Sequence, residues 1–164
     1  LDQLEDLDRG VTRITYDGIR RLGGQSHLYR LWLGDTAISD ASMPTIIQST
    51  DLEVLGVPNT RIKDSGVQHL SQLSKLDWLC LSNTAVTDES LQHVGKMSEM
   101  TGLFLDGTAV TDIGMVHLTS LTKLERLNVS RTAVTDSGIR RLMHLPRLKT
   151  LTIDDEQMTE STML

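Results

Sequence analysis

Several kinds of side chain recur in this sequence at a spacing that invites a chemical reading. Asp40, Asp64, Asp88, Asp112 and Asp136 stand 24 residues apart. Regularly placed carboxylates are the material of general acid–base catalysis and of cation binding. His69, His93 and His117 keep the same interval, with Arg21 and Arg141 at that place in other copies. A row of imidazoles is zinc-ligand material. Thr12, Thr36, Thr60, Thr84, Thr108 and Thr132 form a third column, and a hydroxyl beside a base can act as a nucleophile. Cys80 is the single thiol, and Tyr16, Tyr29, Trp32, Trp78 and Phe104 are the whole aromatic set.

Each column is weighed against a structural role. Every Asp follows Thr, Ser or Lys and precedes a helical pattern. A carboxylate there accepts hydrogen bonds from the first free amides and meets the positive end of the helix, so capping is the expected role. The histidines fall outward on neighbouring helices, whose axes stand about 10 Å apart. Two imidazoles can then at most straddle one ion, short of four ligands, and late in a helix they suit its negative end. The threonines have no His beside them and are expected to satisfy backbone groups of the neighbouring coil. Cys80 is expected to be a small packed residue. A Gly-rich phosphate loop, a His-x-x-x-His pair, a G-x-S-x-G elbow and a Cys-x-x-Cys motif are all missing. No catalytic residue, metal ligand or cofactor is therefore expected, and the chain does not read as an enzyme.

The spacing belongs to the elements that carry these residues. Leu31, Leu55, Leu79, Leu103, Leu127 and Leu151 make a further column. A recurrence of this length means a stacked repeat array. Copies start near Leu4, Leu28, Leu52, Leu76, Met100, Leu124 and Leu148. The first half of each copy alternates with period two, as in Leu79 and Leu81, which predicts a strand. The second half places apolar residues three apart, as in Met115, Leu118 and Leu121, which predicts a helix. The expected fold is α/β: a right-handed solenoid of about six to seven repeats with a parallel sheet on one face, making one domain over 1–164.

The pattern L-x-x-L-x-L-x-x-T-x-[VI]-T-D-x-G-L-x-x-L-x-x-L-x-x resembles the leucine-rich repeat family from about Leu4 onward. Its threonine version is similar to the subgroup near the cysteine-containing repeats of F-box substrate receptors, and bacterial proteins carry it as well. The resemblance implies a horseshoe that recognises protein partners on its concave sheet. Some copies depart from the pattern. In the first, Arg9 stands at an apolar position and Tyr16 replaces the columnar Asp, while Asp2, Glu5, Asp6 and Asp8 would keep a sheet edge from pairing. In the second, Ser42-Met43 replaces Gly-Leu, and Pro44 fits only a first helical turn. In the third, Gly56 and Pro58 are expected to weaken the strand. The last copy is truncated at Met163-Leu164, and the chain opens on Leu1 rather than Met. A segment of a longer protein, or an array whose end packs on another part, is expected.

Bulk properties narrow the partners. The net charge of −6 and pI of 5.3 argue against nucleic acid and against an anionic membrane surface, and suit a basic protein. One cysteine excludes an intrachain disulfide and favours a reducing, cytoplasmic compartment. No run of 18 apolar residues and no signal peptide is visible. A monomer, or part of a larger chain or complex, is expected.

The aromatic residues point to the site. Positions three, five and seven of each strand face the open sheet, while four and six face inward. Trp32 and Phe104 fall at position five and Trp78 at position three, whereas the predicted core is Leu, Ile, Val and Met. Trp78, Cys80, Phe104, Asp106, Arg126 and Asn128 are expected to form one patch, with Arg30 and Trp32 two strands away across a gap at Gly56. Exposed Trp beside Arg is the composition of a binding hot spot. Three uses of the face stay open: a protein partner, cover by another segment of the same protein, or mutual packing of the rings. The alternative functions are a structural scaffold arm, a ubiquitin-ligase-type substrate receptor by analogy, or regulation of an enzyme by occlusion.

Overall fold

The computed structural model describes residues 5–8, 16–20 and 27–154, without the side chains of 16 and 17. Seven three-residue strands lie parallel in one sheet in chain order: β1 (Asp6–Asp8), β2 (Arg30–Trp32), β3 (Val54–Gly56), β4 (Trp78–Cys80), β5 (Gly102–Phe104), β6 (Arg126–Asn128) and β7 (Thr150–Thr152). Each pairs with the next at a register of one repeat, so Leu7, Leu31, Leu55, Leu79, Leu103, Leu127 and Leu151 form a continuous ladder. The ladder faces inward because side chains alternate along a strand and the middle residue of each is leucine. Leu55, Leu79 and Leu103 are fully buried.

The return segments carry α1 (Tyr16–Arg20), α2 (Met43–Ile46) after a 3-10 turn at Asp40–Ser42, α3 (Asp64–Val67) continued by a 3-10 turn at Gln68–Gln72, α4 (Asp88–Val94), α5 (Asp112–Leu118) and α6 (Asp136–Arg140). Their apolar stripe completes the core against the strands, as with Val67, Leu91 and Met115. The result is the right-handed α/β horseshoe that the 24-residue period predicts. Pro44 stands at the start of α2, where its missing N–H costs no helical bond.

Among the described residues, five coils turn out of their strand through one left-handed residue, Asp35, Asn59, Asn83, Gly107 or Arg131, with φ between 54° and 68°. Asn, Asp and Gly tolerate that conformation. Arg131 does not share the tolerance; its N–H and guanidinium are held by the carboxylates of Asp154 and Asp106. The turn amides extend the sheet: Asp35, Asn59, Asn83 and Gly107 donate to the carbonyls of Pro58, Ser82, Asp106 and Ser130 at 2.8–3.0 Å.

Three expectations about the columns are corrected. The carboxylates of Asp40, Asp64, Asp88 and Asp112 are not the caps of their own helices. They reach forward one coil: Asp64 Oδ1 accepts from the Thr87 N–H, Asp88 Oδ1 from Thr111 and Asp112 Oδ1 from Thr135, at 2.7–2.8 Å. The own-helix caps are Thr87, Thr111 and Thr135, whose hydroxyls accept the amide two residues on and donate back to the same Asp. The position-nine threonines bond inside their own coil, as in Thr84 Oγ1 to Leu81 O at 2.6 Å, because the turn brings the carbonyl three residues back within reach. Finally, β3 is paired on both sides despite Gly56 and Pro58. Pro58 follows the strand, and its carbonyl serves the Asp35 amide.

The forward-reaching carboxylates explain a column of small residues. A Cβ on Gly66, Gly114 or Gly138 would come within 2.4–2.5 Å of the preceding coil's Asp Oδ1. Ser90 fills that place in its coil and donates to Asp64 Oδ1 at 2.5 Å. Ser42 holds the same place in the second copy, but the preceding columnar residue is Tyr16, and the buried Ser42 hydroxyl has no partner among the described residues. The readings that rest on Asp2, Arg9, Thr12, Arg21 and the final residues lie outside the described set. Among the described residues, no group of three His, Cys, Asp or Glu could hold a metal ion, and no helix is long and apolar enough to cross a membrane.

Candidate functional site

Strand alternation that buries the leucine ladder presents two rows on the hollow side. One runs through Arg30, Val54, Trp78, Gly102 and Arg126; the other through Trp32, Gly56, Cys80, Phe104 and Asn128. Neighbours in a row are one strand spacing apart, about 4.8 Å, so large side chains must lean or stack.

Both indoles lean over a glycine of the following strand. A Cβ on Gly56 would lie 2.0 Å from the Trp32 ring, and one on Gly102 would lie 2.4 Å from the Trp78 ring. The gap expected at Gly56 is thus occupied: Trp32 lies in it and closes the distance to the other aromatics. Trp78 and Phe104 pack with ring centroids 5.0 Å apart and planes tilted by 35°. The Arg126 guanidinium reaches back over Gly102 to the Trp78 ring, 5.4 Å from its centroid, within the range of a cation–π contact.

The outcome is an open depression of about 500 Å³ lined by Arg30, Trp32, Val54, Trp78, Cys80 and Phe104. Five of these were singled out by sequence. Val54 was not. Its signal was its place at position three between Arg30 and Trp78, passed over because an aliphatic residue carries no chemical flag. Arg126 and Asn128 lie beside the depression in the same register, opposite Gly102 and Phe104, and Asp106 follows β5 next to them.

The polar side of the patch is tied down internally. Asp106 accepts from the Ser82 hydroxyl at 2.5 Å, from Asn128 Nδ2 at 3.1 Å and from the Arg131 guanidinium at 2.7 Å. Asn128 Oδ1 in turn accepts from the Ser130 N–H and hydroxyl. Cys80 is only 6% exposed, with its Sγ 3.3 Å from the Ser82 hydroxyl. Burial pushes the Cys80 thiol up, with the Asp106 charge adding and Ser82 opposing. A protonated, buried thiol with no imidazole among its hydrogen-bond partners is a poor nucleophile. The chemistry offered by the hollow is apolar contact and guanidinium charge, the means of recognition rather than of bond making.

No protein-family model matches this chain, and no curated protein does. Solved structures do. An internalin, InlF, from Listeria monocytogenes superposes over 93% of the chain with a TM-score of 0.65 at 20% identity. A leucine-rich repeat protein from Leptospira interrogans does so with 0.63 at 21%. A plant peptide hormone receptor, RGFR1, solved in complex with RGF2, does so with 0.63 at 16%. The chain spans 48%, 37% and 25% of those proteins respectively. At such identities the shared property is the fold.

Proposed function

We propose that this chain, a leucine-rich repeat solenoid, is a recognition module that binds a protein partner on its concave sheet. Trp32, Trp78 and Phe104 are the anchors, Val54 and Cys80 the floor, and Arg30 and Arg126 the orienting charges. One observation carries the reading. Both tryptophans and the phenylalanine stand on the open face, with Trp78 and Phe104 packed on each other there, while the core is completed by Leu, Ile, Val and Met. Rings already seated on Gly56 and Gly102 lose little freedom on binding, which is the economy of a preformed site. Asp106 and Asn128 hold the neighbouring strands in register through the hydroxyls and Arg131, and act behind the contact surface. The plant peptide hormone receptor RGFR1, which shares this fold, is itself solved in complex with RGF2.

The test is affinity capture from cells that make the protein, comparing wild type with a Trp78→Ala, Phe104→Ala double variant. Partners held by wild type should be lost from the variant, with its far-ultraviolet circular dichroism unchanged. Equal capture by both would remove this face from the binding surface and favour cover by another segment.

A further inference from the structure

The charges around the hollow bear on the partner's chemistry. Over the whole chain the net charge is −6, which at long range suits a basic partner. At contact, charge is read locally, because physiological salt screens beyond about 8 Å. The charged residue that lines the depression is Arg30; its side chain is 52% exposed, and Asp6 is only at the edge of ion-pair distance, 4.0 Å. At the other end Arg126 lies on Trp78 and forms no ion pair among the described residues. It is near enough to Glu125 to help lower that carboxyl, but the ion partner of Glu125 is Lys149, at 2.9 Å. The nearby Asp106 is already met by Arg131. The carboxylates of Glu53 and Asp77 stand on the residues that lead into β3 and β4, one position before each strand, where Lys75 pairs with Asp51. The lining of the hollow is therefore cationic and apolar, while Asp6 and Asp8 stand beside Arg30 and Trp32 at its β1 end and the strand-entry flank is anionic.

We infer that the hollow receives an acidic–apolar segment of the partner: one aliphatic or aromatic side chain seated on Val54 and Cys80 between Trp32 and the Trp78–Phe104 pair, with a carboxylate on either side meeting Arg30 and Arg126. The inference rests on the proposed function and fixes the chemistry of what is bound. β2 and β6 are four strands apart, about 19 Å at ~4.8 Å per strand. Arg126 reaches back to the ring on β4, so the two guanidiniums stand closer than their strands. In an extended segment rising ~3.3 Å per residue, the two carboxylates would be about three to five residues apart with the anchor between them. A guanidinium spread on an indole face is already ordered for a carboxylate.

Both tryptophans of the chain border the hollow, so tryptophan emission of the whole 164-residue chain reads occupancy directly. The probes are three synthetic peptides with one central Phe, flanked two residues away on each side by Glu, by Ser or by Lys. The Glu peptide should bind about tenfold or more tighter than the Ser peptide, and the Lys peptide weakest, since like charges at contact oppose binding. An Arg30→Gln, Arg126→Gln variant should erase the difference between the Glu, Ser and Lys peptides. Equal or better binding of the Lys peptide, or a preference that survives the arginine variant, overturns the inference and leaves the recognition surface standing. If none of the three perturbs the emission, the inference also fails, and the capture comparison then decides separately whether the face binds a partner at all.

Discussion

Asp64 and Asp77 are both partly buried carboxylates, yet they respond to acid in opposite senses. For Asp64, burial pushes the carboxyl up, but the Ser90 and Thr87 hydroxyls and amides, at 2.5–3.2 Å, outweigh it and hold it below the ordinary range. Its contribution is present above the unfolded pKa of about 3.9 and is lost as the pH falls through the folded value. For Asp77, burial again pushes up, Glu53 and Glu99 add to it, and the Thr101 hydroxyl does not compensate. That carboxylate destabilises the fold once charged, and the cost disappears on protonation. Urea midpoints at about pH 7 and about pH 3.5 should therefore separate the two. Asp64→Asn should be less stable than wild type at neutral pH, with the gap narrowing in acid. Asp77→Asn should be more stable at neutral pH, with its advantage fading in acid. Parallel curves for all three proteins would refute the assignment. Ser42 makes a simpler case. Its hydroxyl is fully buried and without a partner among the described residues, a state that costs about 1–3 kcal/mol. Ser42→Ala keeps the Cβ and removes the oxygen, so thermal unfolding should show a gain of about 1 kcal/mol. A loss would mean that the hydroxyl is satisfied.

At the scale of an element, the strands explain what could be read in advance. Period-two alternation and a fixed 24-residue register place every inward leucine, because side-chain direction along a strand is set by the pleat alone. The rows of the open face, and hence Arg30, Trp32, Trp78, Cys80 and Phe104, follow from the same rule. Which way an indole leans does not follow, since that is a rotamer decided by the space beside it. Sequence marked Gly56 as a weak strand end. Its actual role is to accept the Trp32 ring one period earlier, as Gly102 accepts Trp78. The Asp column misled for a related reason: Asp preceding a helical pattern fits an own-helix cap, and only stacking shows the next coil's amide to be closer. The glycine seats are open to test. In Gly102→Ala the added methyl would stand 2.4 Å from the Trp78 ring, so the indole must leave its seat and release Arg126. Overpacking of this kind costs about 1–3 kcal/mol. Near-ultraviolet dichroism should change and the peptide affinities described above should fall, while far-ultraviolet dichroism holds. An unaltered tryptophan signal would show that the ring does not rest on Gly102.

At the scale of the molecule, a solenoid couples each coil mainly to its neighbours. Ion pairs follow that rule: Lys75 meets Asp51, Lys123 meets Glu99 and Lys149 meets Glu125, each one coil back and at 2.5–2.9 Å. The Asp carboxylates and turn amides do the same, so these ties each join one coil to the next. Stability is then close to a sum of coil and interface contributions, and truncations in the core should combine according to distance. Val86 and Val110 are fully buried at the same place in adjacent coils, whereas Ile38 and Val134 are buried at that place four coils apart. Each change to Ala should cost about 2–3 kcal/mol from lost transfer and cavity formation. The adjacent pair shares an interface, so its double variant should depart from the sum of the singles by about 0.5 kcal/mol or more, while the distant pair should add within about 0.5 kcal/mol. Urea titration of the four singles and two doubles measures both cycles. Strong coupling between Ile38→Ala and Val134→Ala would mean that the two ends of the array communicate through the intervening coils rather than through nearest neighbours alone. The hollow, whose lining spans β2 to β5, would then respond as a whole to damage at either end of the array.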